Sequence, residues 1–153
     1  MRIINLIVFL LLLISLMAFQ SCSKFEKIEC NYIIYIPDTA LKQELRKTWV
    51  PDGDREGYLD ANNDGEICDG EAARIYDLSI HNKNVRNLEG LEHFHNLNSL
   101  DCNNCNIESI NFSSSSLKRL ECDNNSLIYI DISNMPYLQD LSCDGNNLTH
   151  LEL

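Results

Sequence analysis

Positive charge is scarce in this sequence. Lys and Arg number 12 against 23 Asp and Glu, which gives a formal net charge of -11. Arg2 is the one charged residue among the first 21, so the rest of the chain is more acidic still. Proteins that bind nucleic acid need a basic face that displaces counterions from the phosphates. The composition therefore argues against a nucleic-acid partner.

Apolar runs of membrane-spanning length are also missing. The run Ile3–Met17 is shorter than the ~20 residues that a spanning helix needs. It follows Arg2 and leads through Ala18–Ser21 to Cys22, an arrangement that resembles a bacterial lipobox. We therefore predict a lipoprotein signal peptide over residues 1–21. Lipid on Cys22 would tether the chain to a membrane of the bacterial cell envelope, which we expect to be the outer membrane. An ordinary secretory peptide or an uncleaved anchor is the alternative.

The second half of the chain contains a repeat. A set of two leucines and a cysteine recurs, first after 20 and then after 21 residues, as Leu97, Leu100 and Cys102, then Leu117, Leu120 and Cys122, then Leu138, Leu141 and Cys143. This is the period of a leucine-rich repeat. In such a unit the Leu-x-Cys core is a short strand whose alternate side chains point inward. Successive copies stack as a parallel ladder about 4.8 Å apart.

A further inward position follows each of these strands. Asn125 and Asn146 occupy it in the last two copies, where an amide can satisfy backbone groups that the turn leaves unpaired. Cys105 holds the same place in the copy before them, and Lys83 holds it in a weaker, earlier copy. We predict about four units over residues 75–153, the first atypical and the last incomplete.

The predicted cap covers residues 32–74, after a tether or linker over 22–31. Pro37-Asp38-Thr39 is a helix start signal in which Asp38 or Thr39 can cap the helix. The predicted fold is an α/β repeat solenoid, a short leucine-rich repeat coil with a parallel strand ladder and a small helical N-terminal cap. We expect one face of the cap helix to carry Leu41, Leu45 and Trp49, and Pro51 to end the helix.

The cap also contains a motif typical of metal binding. Residues 60–71 match the calcium loop of an EF-hand, with Gly65 at the sharp turn and Ile67 as the apolar plug. Cys68 departs from the pattern because a thiol is not a hard oxygen ligand. The predicted calcium ligands are the side chains of Asp60, Asn62 and Asp64, the backbone carbonyl of Glu66, and both carboxylate oxygens of Glu71.

We expect a single structural calcium ion in this loop. The sequence offers no second loop to brace it, although such loops normally occur in pairs. With dissociation constants of about 10⁻⁴ to 10⁻³ M, millimolar calcium would stabilise the folded chain by roughly 1 kcal/mol. The alternative is an acidic loop that binds no metal.

The order of these motifs resembles a known family. Ile36-Pro37-Asp38 with its helix, the loop 60–71, the segment 87–97 and the linker-like Ile130–Asn134 are similar to parts of internalin-like leucine-rich repeat proteins secreted by Gram-negative bacteria. The resemblance implies a curved solenoid with a calcium-containing cap. For function it implies surface display or protein binding rather than catalysis.

The outward strand positions form the candidate binding surface. Solenoids usually bind partners on their concave face, and here that face would be rich in carboxylates that could attract a basic protein or peptide. The alternative is an exposed, solvated face with no partner, because it lacks the aromatic anchors that dominate interface energies. The candidate concave face consists of Asp101, Asn103, Lys118, Arg119, Glu121, Asp123, Gln139, Asp140 and Asp144.

The cysteines allow a competing interpretation. Cys102 and Cys105 form a C-x-x-C that, with the upstream His93 and His95, could be drawn as a zinc or redox site. The repeat register disfavours it, because it turns Cys102 and Cys105 inward but both histidines outward. Cys30 and Cys68 are the pair that we most expect to form a disulfide in an oxidising compartment.

Catalysis is not expected elsewhere either. Ser113–Ser116 lies in a polar loop where we identify no His and acid placed to activate a serine. The sequence stops at Leu153 without a polar closing segment, so self-association through the last repeat is a further expectation. A truncated repeat stub with no partner of its own is the remaining alternative to a binding module.

Overall fold

The computed structural model describes residues 28–51 and 57–152 and, for 151 and 152, the backbone alone. The predicted signal peptide, Cys22 and part of the loop after Pro51 lie outside the described residues. Within them, no helix combines the length and the apolar character that crossing a bilayer requires. The elements in chain order are α1 (Thr39–Lys47), β1 (Trp49–Val50), β2 (Gly57–Tyr58), α2 (Asp69–Ala72), β3 (Asp77–Ser79), a 3₁₀ helix (Leu91–His93), β4 (Ser99–Asp101), β5 (Arg119–Glu121), β6 (Tyr129–Asp131), β7 (Asp140–Ser142) and β8 (His150–Glu152).

The repeats build a parallel ladder in the order β3-β4-β5-β7. Its register places the central leucines of the strands side by side, which confirms the predicted superposition of residues 20 or 21 apart. A second parallel ladder pairs β6 with β8, and an isolated bridge joins Ile110 to Ile130 beside it. Each full repeat therefore contributes an extended segment to both ladders. The leucines aligned in the first ladder are Leu78, Leu100, Leu120 and Leu141.

The core between the two ladders holds the residues expected from the repeat. Cys102 and Cys122 are fully buried, whereas Cys143 is only half-buried. The predicted amide position is occupied as expected. Asn125 is buried, and its amide group bonds to backbone carbonyls of its own repeat and of the preceding one. Asn146 repeats the arrangement one unit later.

A left-handed backbone position occurs at the turn after each ladder strand. Asn82, Asn104 and Asn124 adopt positive φ there, with values of 57°, 54° and 53°. Asparagine is one of the few residues with a side chain that tolerates this conformation. The last copy has Gly145 at the same place, with φ 66°. A Cβ on Gly145 would collide with the Asn124 side-chain oxygen, so close stacking as well as φ requires glycine here.

The cap helix begins as predicted but ends earlier. The Asp38 side chain accepts hydrogen bonds from the backbone N–H groups of Ala40 and Leu41, and Leu41 and Leu45 are fully buried. The expectation that Trp49 lies on the same helical face is wrong, as is the predicted end of the helix at Pro51. The helix ends at Lys47, and Trp49 lies in β1.

The end of the helix follows from strand pairing. Thr48 is extended, and its carbonyl oxygen accepts a hydrogen bond from the backbone N–H of Leu59. Trp49 is therefore opposite Tyr58 in an antiparallel pair, with the two rings edge to face at a centroid distance of 5.6 Å. The Trp49 side chain stays 54% exposed because its contacts are with this surface neighbour and not with the core.

Candidate functional site

The loop 60–71 is folded around its own polar side chains. The buried Asp60 carboxylate accepts the backbone N–H of Asp64 on Oδ1 and that of Gly65 on Oδ2, both at 3.1 Å. Asn62 Oδ1 also accepts the Asp64 N–H, and Asp64 Oδ1 accepts the Glu66 N–H at 2.8 Å. Gly65 has φ +87°, which lets the chain reverse at this point. The turn is thus formed by hydrogen bonds within the loop.

Glu71 joins the two ends of the loop. It lies on α2, is 1% exposed, and accepts the Ala61 N–H on Oε1 at 2.9 Å and the Cys68 N–H on Oε2 at 3.1 Å. The carboxylates of Asp60, Asp64 and Glu71 therefore belong to one hydrogen-bonded loop. Ile67 is fully buried beneath it, as expected for the apolar plug.

The donor set of this loop fits calcium. Carboxylate, amide and carbonyl oxygens are the ligands that a hard divalent cation takes, and Gly65 already adopts the turn that an EF-hand loop requires. Among the described residues, Cys30, Cys68 and Glu71 have potential ligand atoms mutually within 4.8 Å, whereas no three acidic side chains of the loop meet that limit. The cysteine group is not a metal site, because both sulfurs are in a disulfide.

Two cations from α1 contact the loop. Arg46 Nε lies 2.9 Å from Asp60 Oδ2, and Lys42 Nζ lies 2.6 Å from Glu66 Oε2. The two basic residues are one helical turn apart and so share a face of the helix. Sequence reasoning missed both contacts. The spacing of Lys42 and Arg46 was the available signal, but only the packing of α1 shows what they face.

The segment before the cap helix also contacts the loop. The Ile34 N–H donates to the Ile67 carbonyl at 2.8 Å, and Ile33 forms an antiparallel bridge with Cys68. Cys30 and Cys68 are disulfide-bonded, which confirms the predicted pair. This extended segment therefore pairs with the loop through backbone contacts at Ile67 and Cys68.

Asp69 forms hydrogen bonds with the segment before the cap helix. Its carboxylate accepts hydrogen bonds from the side-chain amide and the backbone N–H of Asn31, each at 2.8 Å, and a longer one from the Tyr32 N–H. These bonds favour the charged carboxylate and lower the pKa of Asp69 to about 2, the Asn31 side chain contributing most. Gly70 permits the close approach, since a Cβ there would collide with the Glu29 carbonyl oxygen.

The outward positions of the first ladder form the second candidate site, named here the ladder face. Its residues are those predicted: Asp101, Asn103, Lys118, Arg119, Glu121, Asp123, Gln139, Asp140 and Asp144. The register aligns Asp101, Glu121 and Ser142 as one column. Asn103, Asp123 and Asp144 form the next column, joined by hydrogen bonds from Asp123 N–H to Asn103 Oδ1 and from Asp144 N–H to Asp123 Oδ1.

Hydroxyl, imidazole and amide groups separate the carboxylates of the ladder face. Asp101 Oδ2 lies 3.0 Å from Ser79 Oγ, which donates to it, and 2.9 Å from His81 Nδ1. Ser142 Oγ donates to both oxygens of Asp123, at 2.7 and 2.9 Å. Such donors offset the repulsion expected between stacked carboxylates and hold them in fixed orientations. Sequence reasoning identified the outward acidic residues but not the hydrogen bonds that they accept from Ser79, His81 and Ser142.

The C-x-x-C is not a ligand cluster. Cys102 Sγ donates to the Glu121 carbonyl oxygen and Cys105 Sγ donates to the Ile80 carbonyl oxygen, each at 3.2 Å, so the two thiols point toward opposite neighbouring repeats. Burial raises the pKa of both thiols, which keeps them protonated and unreactive near neutral pH. His93 lies 3.4 Å from the Tyr32 hydroxyl, and His95 is exposed.

The serine-rich loop lines a cleft of about 440 Å³. Glu92 and His95 line the same cleft, a proximity that sequence reasoning did not foresee. Ser114, however, is buried, and its hydroxyl accepts the Leu117 N–H at 3.1 Å and lies 3.4 Å from Ser116 Oγ. Among the described side chains no histidine is hydrogen-bonded to a serine of this cleft. The described serines of this cleft are thus without the hydrogen-bonded histidine that activates a serine.

The repeat agrees with a known family of proteins. Residues 72–153 match the family described as the leucine-rich repeat domain of the endo-beta-N-acetylglucosaminidase EndoS. A search of curated proteins gave no match. Two solved structures of the CBM51-2 and INT domains of Clostridium perfringens ZmpB, one of them with GlcNAc, are similar at 20% sequence identity, with TM-scores of 0.46 and 0.45. Each match covers 69% of this chain and 20% of the other, so the chain spans about a fifth of those proteins' length. On the family match, which includes every strand of both ladders, the chain belongs to the EndoS-type leucine-rich repeat family.

Proposed function

We propose that this protein is an exported, non-catalytic leucine-rich repeat module that binds a cationic protein or peptide segment on its ladder face. Lipid on Cys22 tethers it to the outer membrane in this proposal, and a structural calcium ion in the loop 60–71 stabilises the cap. The observation that carries the binding function is the parallel, in-register ladder, which presents acidic side chains in ordered columns. Leucine-rich repeats generally mediate protein–protein interaction, which supports the same conclusion.

The charge of the ladder face favours a basic partner. The ladder face carries five carboxylates and only two cationic side chains. One of the two, Arg119, has its Nε 3.6 Å from Asp140 Oδ2. Charge complementarity of this kind steers association and confers specificity. The carboxylates of Asp101 and Asp123 are already ordered by hydrogen bonds, so less side-chain entropy is lost when a partner binds. A Lys- or Arg-rich segment is the partner chemistry that fits.

Calcium has a structural part in this proposal. The side chains of Asp60, Asn62 and Asp64, the Glu66 carbonyl and the Glu71 carboxylate would hold the ion. A bound cation would supply positive charge among these acidic groups and so join α2 more firmly to the start of the loop. The prefolded turn at the buried Asp60 supports this assignment.

A charge-reversal pair tests the ladder face. Glu121 is half-buried at the centre of the ladder and has one weak side-chain contact, an Asn103 Nδ2 donor at 3.4 Å. Glu108 is exposed, lies in the chain between β4 and Ile110, and serves as the matched control. Binding of the full chain in detergent to a panel of Lys- and Arg-rich peptides is measured by biolayer interferometry at low and at physiological salt. We expect Glu121→Lys to weaken binding about tenfold and Glu108→Lys to leave it within twofold.

The outcomes separate the two functional classes. If both variants lost binding equally, the interaction would depend on the net charge of the chain and not on the ladder face. No peptide binding by the unmodified chain at millimolar concentration would favour a repeat stub with no partner. Membrane tethering is tested separately by metabolic labelling with a radioactive fatty acid, which we expect to be incorporated by the unmodified chain but not by Cys22→Ser.

A further inference from the structure

We propose that Arg46 is the resident countercharge of the loop 60–71. It holds the Asp60 carboxylate while no calcium is bound, and it lowers the affinity of the loop for calcium. This inference rests on the calcium site of the proposed function and adds a residue that determines the strength of that site.

The environment of Asp60 explains why a countercharge is needed. Its side chain is 3% exposed, and a buried carboxylate without compensation is costly. Two backbone N–H groups of the loop supply part of that compensation. The Arg46 guanidinium brings a full positive charge to the Asp60 carboxylate, with Nε 2.9 Å from Oδ2. The guanidinium also lies over the turn, since its Cζ is 3.6 Å from the point where Gly65 would carry a Cβ.

Lys42 differs from Arg46 in its contact. Lys42 binds the side chain of Glu66, whereas calcium would be held by the Glu66 backbone carbonyl. Arg46 instead binds a carboxylate that belongs to the ligand set itself. Of the two basic residues on this face of α1, Arg46 is therefore the one placed to oppose a bound cation directly.

Two effects of opposite sign follow. Without calcium, loss of the Arg46 charge leaves the Asp60 carboxylate undercompensated, so the folded state becomes less stable. With calcium, the same loss removes repulsion between two cations that share a carboxylate, so affinity rises. Because the Arg46 side chain is 41% exposed, solvent weakens this repulsion, and the expected gain in affinity is on the order of tenfold. A residue with only a packing role would not move the two quantities in opposite directions.

The test compares Arg46→Gln with Lys47→Gln. Lys47 is the matched control, because it lies on the same helix, is 67% exposed, and contacts Glu44 rather than the loop. Calcium affinity is measured by isothermal titration calorimetry on the full chain in detergent, and the melting temperature is measured in chelator. We expect Arg46→Gln to bind calcium about tenfold more tightly and to melt at a lower temperature in chelator than the unmodified chain. Lys47→Gln should change neither by a comparable amount, and Arg46→Lys should restore both toward the original values.

Each other result has a defined meaning. Unchanged or weaker calcium binding by a folded Arg46→Gln, while the unmodified chain binds calcium, would overturn this inference and leave the calcium site in place. An equal gain in Lys47→Gln would also overturn it, because the effect would then come from net charge. Absence of calcium binding in both the unmodified chain and Arg46→Gln would remove the calcium site of the proposed function and this inference with it.

Discussion

The side-chain amide of Asn125 donates a 2.9 Å hydrogen bond to the backbone carbonyl oxygen of Cys102 in the preceding repeat. The same amide bonds to the Cys122 carbonyl, and Asn125 Oδ1 accepts the Ile107 N–H at 3.0 Å. Asn125 is 8% exposed, so water cannot readily replace these bonds. We predict that Asn125→Ala lowers the free energy of unfolding by about 3 kcal/mol, because several buried backbone groups lose their partner. Urea denaturation measures the loss.

Asn106→Ala is the control for this prediction. Asn106 is exposed, and its side-chain amide bonds to Asn84 on the surface at 2.6 Å. Its loss should cost less than about 0.5 kcal/mol, because water can solvate the partner. Similar losses in the two variants would show that the inward amide does not hold the repeats together.

Asp38 connects the cap to the first repeat, and its contribution should depend on pH. Oδ1 caps α1, while Oδ2 accepts the backbone N–H groups of Arg86 and Asn87. Although partial burial alone would raise the pKa of Asp38, the bonds from Leu41, Arg86, Asn87 and Ala40 lower it below its usual value of 3.8. A lowered pKa means that the ionised carboxylate stabilises the fold above the unfolded-state value, and that this stability is lost as the pH falls through the folded-state value.

Asp38→Asn should therefore melt below the unmodified chain at pH 7, and the gap should close as the pH is lowered toward 3. Thermal unfolding followed by circular dichroism across this range gives both curves. Asp77→Asn, at an exposed position at the start of β3, is the control and should show a small gap at every pH. A gap for Asp38→Asn that persists unchanged at pH 3 would contradict the assignment.

The disulfide between Cys30 and Cys68 should stabilise the cap. It joins residues separated by 38 positions, and a bond that closes a loop of this length is worth about 4 kcal/mol through the unfolded state. We predict that the double variant Cys30→Ser, Cys68→Ser unfolds at lower urea concentration. A reductant should lower the stability of the unmodified chain but not that of the double variant. If the reductant destabilised both equally, the effect would lie outside this bond.

The free thiols should react in an order set by their burial. Cys102, Cys105 and Cys122 are buried, whereas Cys143 is half-buried. Burial raises the pKa of all four thiols, that of Cys122 to about 12. We predict that iodoacetamide at pH 8 alkylates Cys143 at least tenfold faster than Cys102 or Cys122, as measured by peptide mass spectrometry. Faster labelling of Cys102 would contradict its inward position.

The repeat could be predicted from sequence because its period is itself the physical constraint. Residues 20 or 21 apart must superimpose in a stacked ladder, so the inward places of Cys102 and Asn125 and the outward place of Glu121 follow from spacing alone. The turn at Gly65 could be predicted for a similar reason, since the residues that form it are local in the chain.

Contacts between distant segments could not be predicted in the same way. The pairing of Ile34 with Ile67 and the contact of Arg46 with Asp60 depend on how the cap folds back on the loop, which no local pattern specifies. For Trp49 the local pattern gave a wrong prediction. Its spacing from Leu45 fits a helix, but pairing with Tyr58 converts the position to a strand, because tertiary context overrides local periodicity.

The ladder face can be tested most directly by nuclear magnetic resonance. An Arg-rich peptide is titrated into the ¹⁵N-labelled full chain in detergent, and the backbone amide shifts are followed. We expect the changes to concentrate on β4, β5 and β7, around Asp101, Glu121 and Asp123, and to be small on the second ladder at Ile110 and Tyr129. Changes centred on the second ladder, or spread evenly over the acidic surface, would contradict a binding site on the ladder face.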